Sequence, residues 1–236
     1  MDRILDRQVW HMLQGRLVHL AQGSGSAVRV DPRYGPFAAA RDGGQEAQAA
    51  LASLLASRDD ELWLIEPEVW RAPPGTRIER TMELLQMIAD GDAPAGEAPD
   101  PEIHRLGEDD AAEMAEIALA AEPGPWRALT HRFGQFYGIR IDGRLAAMAG
   151  ERMLPASGLA EISGVCTWPE YRGQGLARRL IKQVMAGQRA RGDVPYLHSY
   201  AHNEGAIGLY RSLGFRPRGT MCGPTMWATV LVPDHG

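Results

Sequence analysis

The sequence predicts an α/β fold: a mixed, mainly antiparallel central sheet with flanking helices, preceded by a smaller α/β N-terminal region. Three observations lead there. After residue 102, strand-like and helix-like runs alternate in the order β-α-β-β-β-α-β-α-β, with room for a second helix after the first, which is a layered mixed arrangement. The pair Asp142–Gly143 divides two apolar runs and is a strong short-range hairpin signal, so the sheet begins antiparallel. A strand, a glycine-bearing turn, a long helix and another strand then follow, a unit whose two strands run parallel.

Taken in order, "GGQEAQAALASLLASRDD" reads as a helix rich in alanine and leucine, and "ELWLIEP" as a strand stopped by Pro67. "RIERTMELLQMIA" fits strand or helix. The stretch "ADGDAPAGEAPDPE", residues 89 to 102, has no hydrophobic periodicity and reads as a linker. The expected division is residues 1–95, an α/β region that packs or shapes a pocket, and residues 96–236. Beyond the linker, "IHRL" is a short strand, and Asp109 or Asp110 caps a helix that ends before Gly124–Pro125. The hairpin around Asp142–Gly143 follows, then the strand "LAEISGVCTW", a helix ending near Gly192 and the strand "PYLHSYAHN". A short helix, "EGAIGLYRSLGF", stops at Gly214, and "TMCGPTMWATVLV" supplies one or two last strands.

Composition narrows the function classes. The chain has 236 residues, 44% hydrophobic and 23% charged, enough for one large domain or two small ones with a real core. A formal charge of −5 argues against a nucleic-acid partner, because such binding needs a clustered basic face. The only basic cluster is Arg172, Arg178, Arg179 and Lys182. Two cysteines, Cys166 and Cys222, make no disulfide framework, and no Cys/His set has zinc spacing, so no metal is expected. "MDRILDRQVW" lacks the apolar core of a secretory signal, and no run is long enough for a membrane span; a cytoplasmic location without membrane contact is expected.

The chemistry concentrates in "WPEYRGQGLARRL", residues 168 to 180. A glycine turn feeding a helix exposes backbone N–H groups that lack helical partners, at the positive end of the helix dipole, which favours a phosphate. Gly173 and Gly175 permit close backbone approach, and Arg172, Arg178 and Arg179 offer charge-assisted contacts. A dinucleotide fingerprint would need glycine where Arg178 stands, and a P-loop would need Gly-Lys-Ser/Thr, so both nucleotide readings fail.

"VCTWPEYRGQGLARRL" resembles motif A of the GNAT superfamily of N-acyltransferases, Arg/Gln-x-x-Gly-x-Gly/Ala, with Arg172, Gly175 and Ala177 at the signature positions. "NEGAIGLYRSLGF" is similar to the superfamily's downstream helix. The resemblance covers roughly residues 102 to 232 and looks closest to the branch related to glycine N-acyltransferase. It implies a splayed pair of parallel strands that binds acetyl-CoA as co-substrate. By the match, Val165, Cys166 and Thr167 offer strand-edge groups to the pantetheine arm, a bulge freeing them. The amides of Arg172, Gly173, Gln174, Gly175, Leu176 and Ala177 hold the pyrophosphate, and Asn203 binds the pantetheine arm or caps its helix.

The implied reaction is direct transfer of an acetyl group from a thioester to a primary amine. The amine must lose a proton before attack, and the thiolate leaves more readily with a proton donor. Tyr210 is the expected acid, against a plain core packing role. Glu161, near the start of the motif A strand, is the expected base. Glu151 is a reserve, and His198 and His202 are further candidates. Cys166 has no adjacent base, so a thiol nucleophile is not expected. Trp168 either shapes the pocket or packs against the N-terminal half. Trp126 and Phe133 sit in the loop expected to bind the acceptor, whose identity the sequence leaves open. The alternative to an enzyme is a non-catalytic acyl-CoA-binding regulatory module. An acyltransferase with a longer donor is a third reading. A monomer or a homodimer is expected.

Overall fold

A computed structural model of the protein describes residues 2–57, 60–67, 71–78, 81–91, 100–221 and 226–230. The chain begins with α1 (Asp2–Asp6) and α2 (Gln8–Gln14), followed by β1 (Ala21–Ser24), β2 (Ala27–Val30), β3 (Ala38–Ala40) and α3 (Gln45–Ser53). The short strands β4 (Trp63–Leu64), β5 (Thr76–Ile78) and β6 (Leu84–Ile88) lead to the linker segment, of which residues 92–99 lie outside the described residues. Then come β7 (Ile103–Leu106), α4 (Ala111–Ala121), β8 (Phe136–Ile141), β9 (Arg144–Glu151), β10 (Leu159–Thr167), α5 (Leu176–Ala190), β11 (Val194–Tyr200), α6 (Glu204–Ser212), β12 (Arg216–Met221) and β13 (Met226–Val230).

The central sheet has seven strands in the order β12-β6-β11-β10-β9-β8-β7. Only β10 and β11 pair in parallel within it. The β8–β9 hairpin turns at Asp142 (φ 51°) and Gly143 (φ 81°), the two consecutive left-handed residues that a tight two-residue turn requires. Asp110 does not cap α4 with its side chain. Its carboxylate instead accepts from the Gly107 amide at 2.9 Å and from Arg140 at 2.6 Å.

"RIERTMELLQMIA" resolves into two strands, and the second carries the main architectural surprise. β6 comes from before the linker, yet it pairs antiparallel with both β11 and β12 inside the central sheet. The segment at 89–102 therefore does not separate two independent sheets. The reason lies in the pattern of β6: Leu84, Gln86 and Ile88 face one side and Leu85, Met87 and Ala89 the other, and both sides are covered.

The two faces have different cores. On one, α5 and α6 bury Leu180, Ile181, Val184, Ile207 and Tyr210 against Met87, Ala147, Ile162 and Leu197. On the other, α1 and α2 bring Leu5, Val9, Met12 and Leu13 onto Ile88, Leu159 and Tyr196. The N-terminal region is thus packed against the central sheet through a shared core. Strand alternation along β11 then decides which way its functional side chains point: Tyr196, His198 and Tyr200 share the N-terminal face, and Leu197 faces α5.

Candidate active site

β10 and β11 stay paired only from Leu159–Glu161 to Val194–Tyr196. β10 then runs on to Thr167 along β9, and β11 runs on to Tyr200 along β6. From Ile162 onward two neighbouring strands turn unpaired edges towards each other. The β9 register shifts between Ser163 and Cys166, where Gly164 adopts φ 60°. A side chain there would meet the Phe136 ring at 2.8 Å, so this bulge calls for glycine on two counts. A cleft of about 820 Å³ opens along the splay.

At one end of the cleft stands the glycine loop. Pro169–Tyr171 form a single 3₁₀ turn, Gly173 (φ 78°) and Gly175 (φ 75°) are left-handed, and α5 begins at Leu176. Apart from the adjoining residues, no atom of the described residues lies within 4 Å of where a Cβ on either glycine would stand, so the space they leave faces outward. The first N–H groups of α5 have no helical acceptors, and the cradle suits an anion. Arg172, Gly173 and Ala177 line the cleft, as do Val165 and Thr167. The other two arginines correct the expectation from sequence. Arg178 donates to Ser212 Oγ at 2.7 Å. Arg179 is clamped by Asp100 (2.6 Å) and Glu102 (2.5 Å), whose carboxylates raise its pKa further. Arg172 alone of the three lines the cleft.

Asn203 does two things. Its Oδ1 accepts from the Ala206 amide at 3.1 Å and caps α6, while the residue also lines the cleft. Tyr210 lines the same wall, with its hydroxyl making no hydrogen bond to the described residues. Burial, with Cys166 nearby, pushes its phenol up to about 12, so it is a proton donor across the ordinary pH range. Burial alone raises the Cys166 thiol to about 12, and the side chain packs with Met114, Ile117 and Phe136 away from the cleft; no thiolate nucleophile arises there.

Glu161 stands differently from expectation. It is fully buried and does not line the cleft. Arg152 grips it, Nε to Oε2 at 3.1 Å and Nη2 to Oε1 at 3.3 Å, and His198 Nδ1 lies 2.8 Å from Oε1. Burial would push this carboxyl up, but the Arg152 charge and the His198 hydrogen bond outweigh it and hold the pKa at about 2. Such a group stays ionised, and its oxygens are taken up by Arg152 and His198 rather than turned to the cleft.

His198 is equally committed. Gln86 Nε2 lies 2.9 Å from its Nε2, and Gln8 Nε2 lies 3.0 Å away. Gln86 is oriented by Arg218, which donates to its Oε1 at 2.8 Å, and by its own bond to the Leu5 carbonyl at 3.0 Å. Gln86 must therefore present N–H to the histidine. Nε2 accepts, and the proton sits on Nδ1, facing Glu161. The imidazole contributes to the cleft wall but has no free lone pair. Glu151, the reserve base, is buried and bound to Arg191 at 2.5 Å, off the cleft. His202 is exposed and stacked on Tyr200, with ring centroids 5.6 Å apart.

The sequence model of the Acetyltransferase (GNAT) family matches residues 101–215. The N-alpha-acetyltransferase RimI of Mycobacterium tuberculosis is 32% identical over 124 residues, covering 48% of this chain and 77% of that protein. A crystal structure of a GNAT-family protein from Novosphingobium aromaticivorans superposes with a TM-score of 0.87 at 60% identity, over 96% of both chains. The chain belongs to the GNAT acetyltransferase family. A GCN5-related N-acetyltransferase from Kribbella flavida, at 22% identity and a TM-score of 0.61 over 95% of each chain, shares the fold.

Within this acetyltransferase, the cleft continues past the splay to a wall that its first 90 residues build. Phe37, Trp63, Ile65, Met82 and Leu84 line it, opposite Glu122, Pro123 and Gly124 from the loop after α4. Sequence reading missed two polar residues there. Arg152 lies just past the end of β9, and Glu122, an exposed residue that lines the cleft, ends α4 in a left-handed conformation (φ 46°). A non-glycine residue held left-handed beside a cleft is a signal only a structure reveals. Of the two expected acceptor-loop aromatics, Trp126 lines a small recess next to Gly164, and Phe133 is core, edge-on to Tyr34 at 5.4 Å. Trp168 packs on the α4 side beneath the Arg144 guanidinium, 4.2 Å from its ring, and takes no part in the cleft.

Proposed function

We propose that this acetyltransferase moves an acetyl group from acetyl-CoA directly to a primary amine, and that the amine is an α-amine. The observation that carries the reading is the single cleft that runs from the glycine loop, past the unpaired edge of β10 and the Tyr210 hydroxyl, which bonds to none of the described residues, to an apolar wall with one acidic residue. The glycine cradle and Arg172 fit the pyrophosphate, and the edges of Val165 and Thr167 fit the amide-bearing pantetheine arm. The α-amine follows from the M. tuberculosis relative, which is an N-alpha-acetyltransferase. The glycine N-acyltransferase-like branch remains an expectation from motif resemblance.

In this mechanism the neutral amine attacks the thioester carbonyl, the tetrahedral adduct expels the CoA thiolate, and Tyr210 protonates that sulfur. Glu122, an acidic residue on the cleft wall, takes the proton of the substrate ammonium directly or through water and passes it to solvent; it then takes the proton that the adduct's nitrogen loses, and solvent returns a proton to Tyr210. Glu161 and His198 hold Arg152 and the start of β10 in place. The test is calorimetric titration with acetyl-CoA, with NADH and ATP as controls, followed by thiol release with peptide amines. Selective acetyl-CoA binding with amine-dependent thiol release is expected. A folded sample that binds no acetyl-CoA would overturn the reading.

A further inference from the structure

We propose that Arg152 binds the carbonyl oxygen next to the acceptor's amine, which selects the neutral amide of a peptide N-terminus over a free amino acid or a plain alkylamine. This rests on the acetyl-transfer reading above and deepens it.

Three observations carry the inference. First, Arg152 lines both the main cleft and the recess formed by Gly124, Pro125, Trp126, Ser163 and Gly164, so it stands where the two meet. Second, its guanidinium is fixed in every respect but one. Nε and Nη2 are held by Glu161, and the plane lies over the Phe37 ring, 4.8 Å from its centroid. Nη1, which stands near Gly124, makes no hydrogen bond to the described residues and is not sealed from the cleft. A planar donor locked on one edge and open on the other is pre-organised to meet an acceptor oxygen at a defined place.

Third, the charges choose which oxygen. Glu161 already neutralises the guanidinium, and Glu161 is itself anchored through His198 to Gln86 and Gln8. What Arg152 presents is therefore a hydrogen-bond donor with little net positive field. The acceptor end also carries Glu122. A net cation, with an ammonium for Glu122 and an uncharged carbonyl for Arg152, suits this pair better than a zwitterion, whose carboxylate would face Glu122 and gain little from a neutralised arginine. A plain alkylamine leaves Nη1 unmatched. The apolar wall of Phe37, Trp63 and Ile65 then suits the first side chain of the peptide.

The experiment compares kcat/KM, per neutral amine, for an alanine-terminated tetrapeptide amide, free alanine and propylamine on the unmodified enzyme, and repeats the series with Arg152→Lys. Lysine keeps a cation for Glu161 while removing the Nη1 donor. Leaving a desolvated donor without its acceptor costs a preference of roughly 10- to 100-fold, so the tetrapeptide amide is expected to lead propylamine by that factor and to lead free alanine as well. Arg152→Lys is expected to shrink the peptide-to-propylamine ratio by about 10-fold or more, chiefly through a higher KM for the peptide. A merely structural arginine would lower all acceptors together and leave the ratio intact, which overturns the inference. A lead for alanine or propylamine on the unmodified enzyme overturns it whether or not the variant folds. No turnover with any of the three overturns the acetyl-transfer reading as well.

Discussion

Tyr210 is the residue whose role is most sharply testable. Its hydroxyl is raised to about 12 by burial and bonded to none of the described residues, so it remains protonated and unspent. A well-placed acid contributes about 10²- to 10⁴-fold. Tyr210→Phe is expected to lower kcat by at least about 100-fold while the acetyl-CoA Kd measured by calorimetry hardly moves; equal losses in both would make the tyrosine a packing residue. Glu161 makes the opposite case, a carboxylate whose value is structural. Its pKa is depressed to about 2 from a reference of 4.5, so its stabilisation is complete above pH 4.5 and is lost as pH falls from there towards 2. Glu161→Gln strands the buried Arg152 charge, and a cost of roughly 3–5 kcal/mol is expected in urea unfolding at pH 7. The variant's stability should also change less with pH between 4.5 and 2 than the parent's; an unchanged acid limb would mean that the pair does not hold in solution.

At the scale of single elements, the glycine loop separates ligand from fold. A Cβ at Gly175 would meet no protein atom, and the only intrinsic penalty is the left-handed backbone, about 1–2 kcal/mol for a residue with a side chain. Gly175→Val is thus expected to remain folded by circular dichroism and to lose acetyl-CoA binding, because the new side chain occupies the cradle itself. Full affinity in a folded variant would show that the loop is only a turn. The β10 bulge works by the same logic from inside: Gly164 frees the edge that Val165 and Thr167 offer, and Phe136 occupies the space where its side chain would be.

For the whole molecule, β6 settles how the two halves relate. The strand Leu84–Ile88 fills the gap between β11 and β12, and Gln86 on it orients His198. The N-terminal helices seal the polar chain that ends at Arg152, and Phe37, Trp63 and Met82 finish the acceptor wall. A fragment starting at residue 96 keeps the family motifs but loses a central strand and leaves two edges open. It is expected to be insoluble or to lack a cooperative unfolding transition. A fragment that folds and binds acetyl-CoA would mean that the N-terminal half is an accessory to an autonomous domain.

The sequence by itself determined the family, the order of the elements after residue 102, the glycine loop, and Tyr210 and Asn203 on the cleft, because these depend on local chemistry: turn residues, helix ends and motif spacing along one stretch of chain. It also located the linker, but local pattern could not say that the strand before it belongs to the sheet after it. "RIERTMELLQMIA" looks equally like helix or strand until two partners cover both of its faces. The fate of each charged group was likewise a tertiary matter. Glu161 reads as a base until Arg152 and His198 close on it, Arg178 and Arg179 read as phosphate ligands until Ser212 and the pair Asp100 and Glu102 take them, and Arg152 and Glu122 carry no motif at all. Partners far apart in sequence decide whether a charge is spent or free, and only the folded chain brings those partners within hydrogen-bond reach.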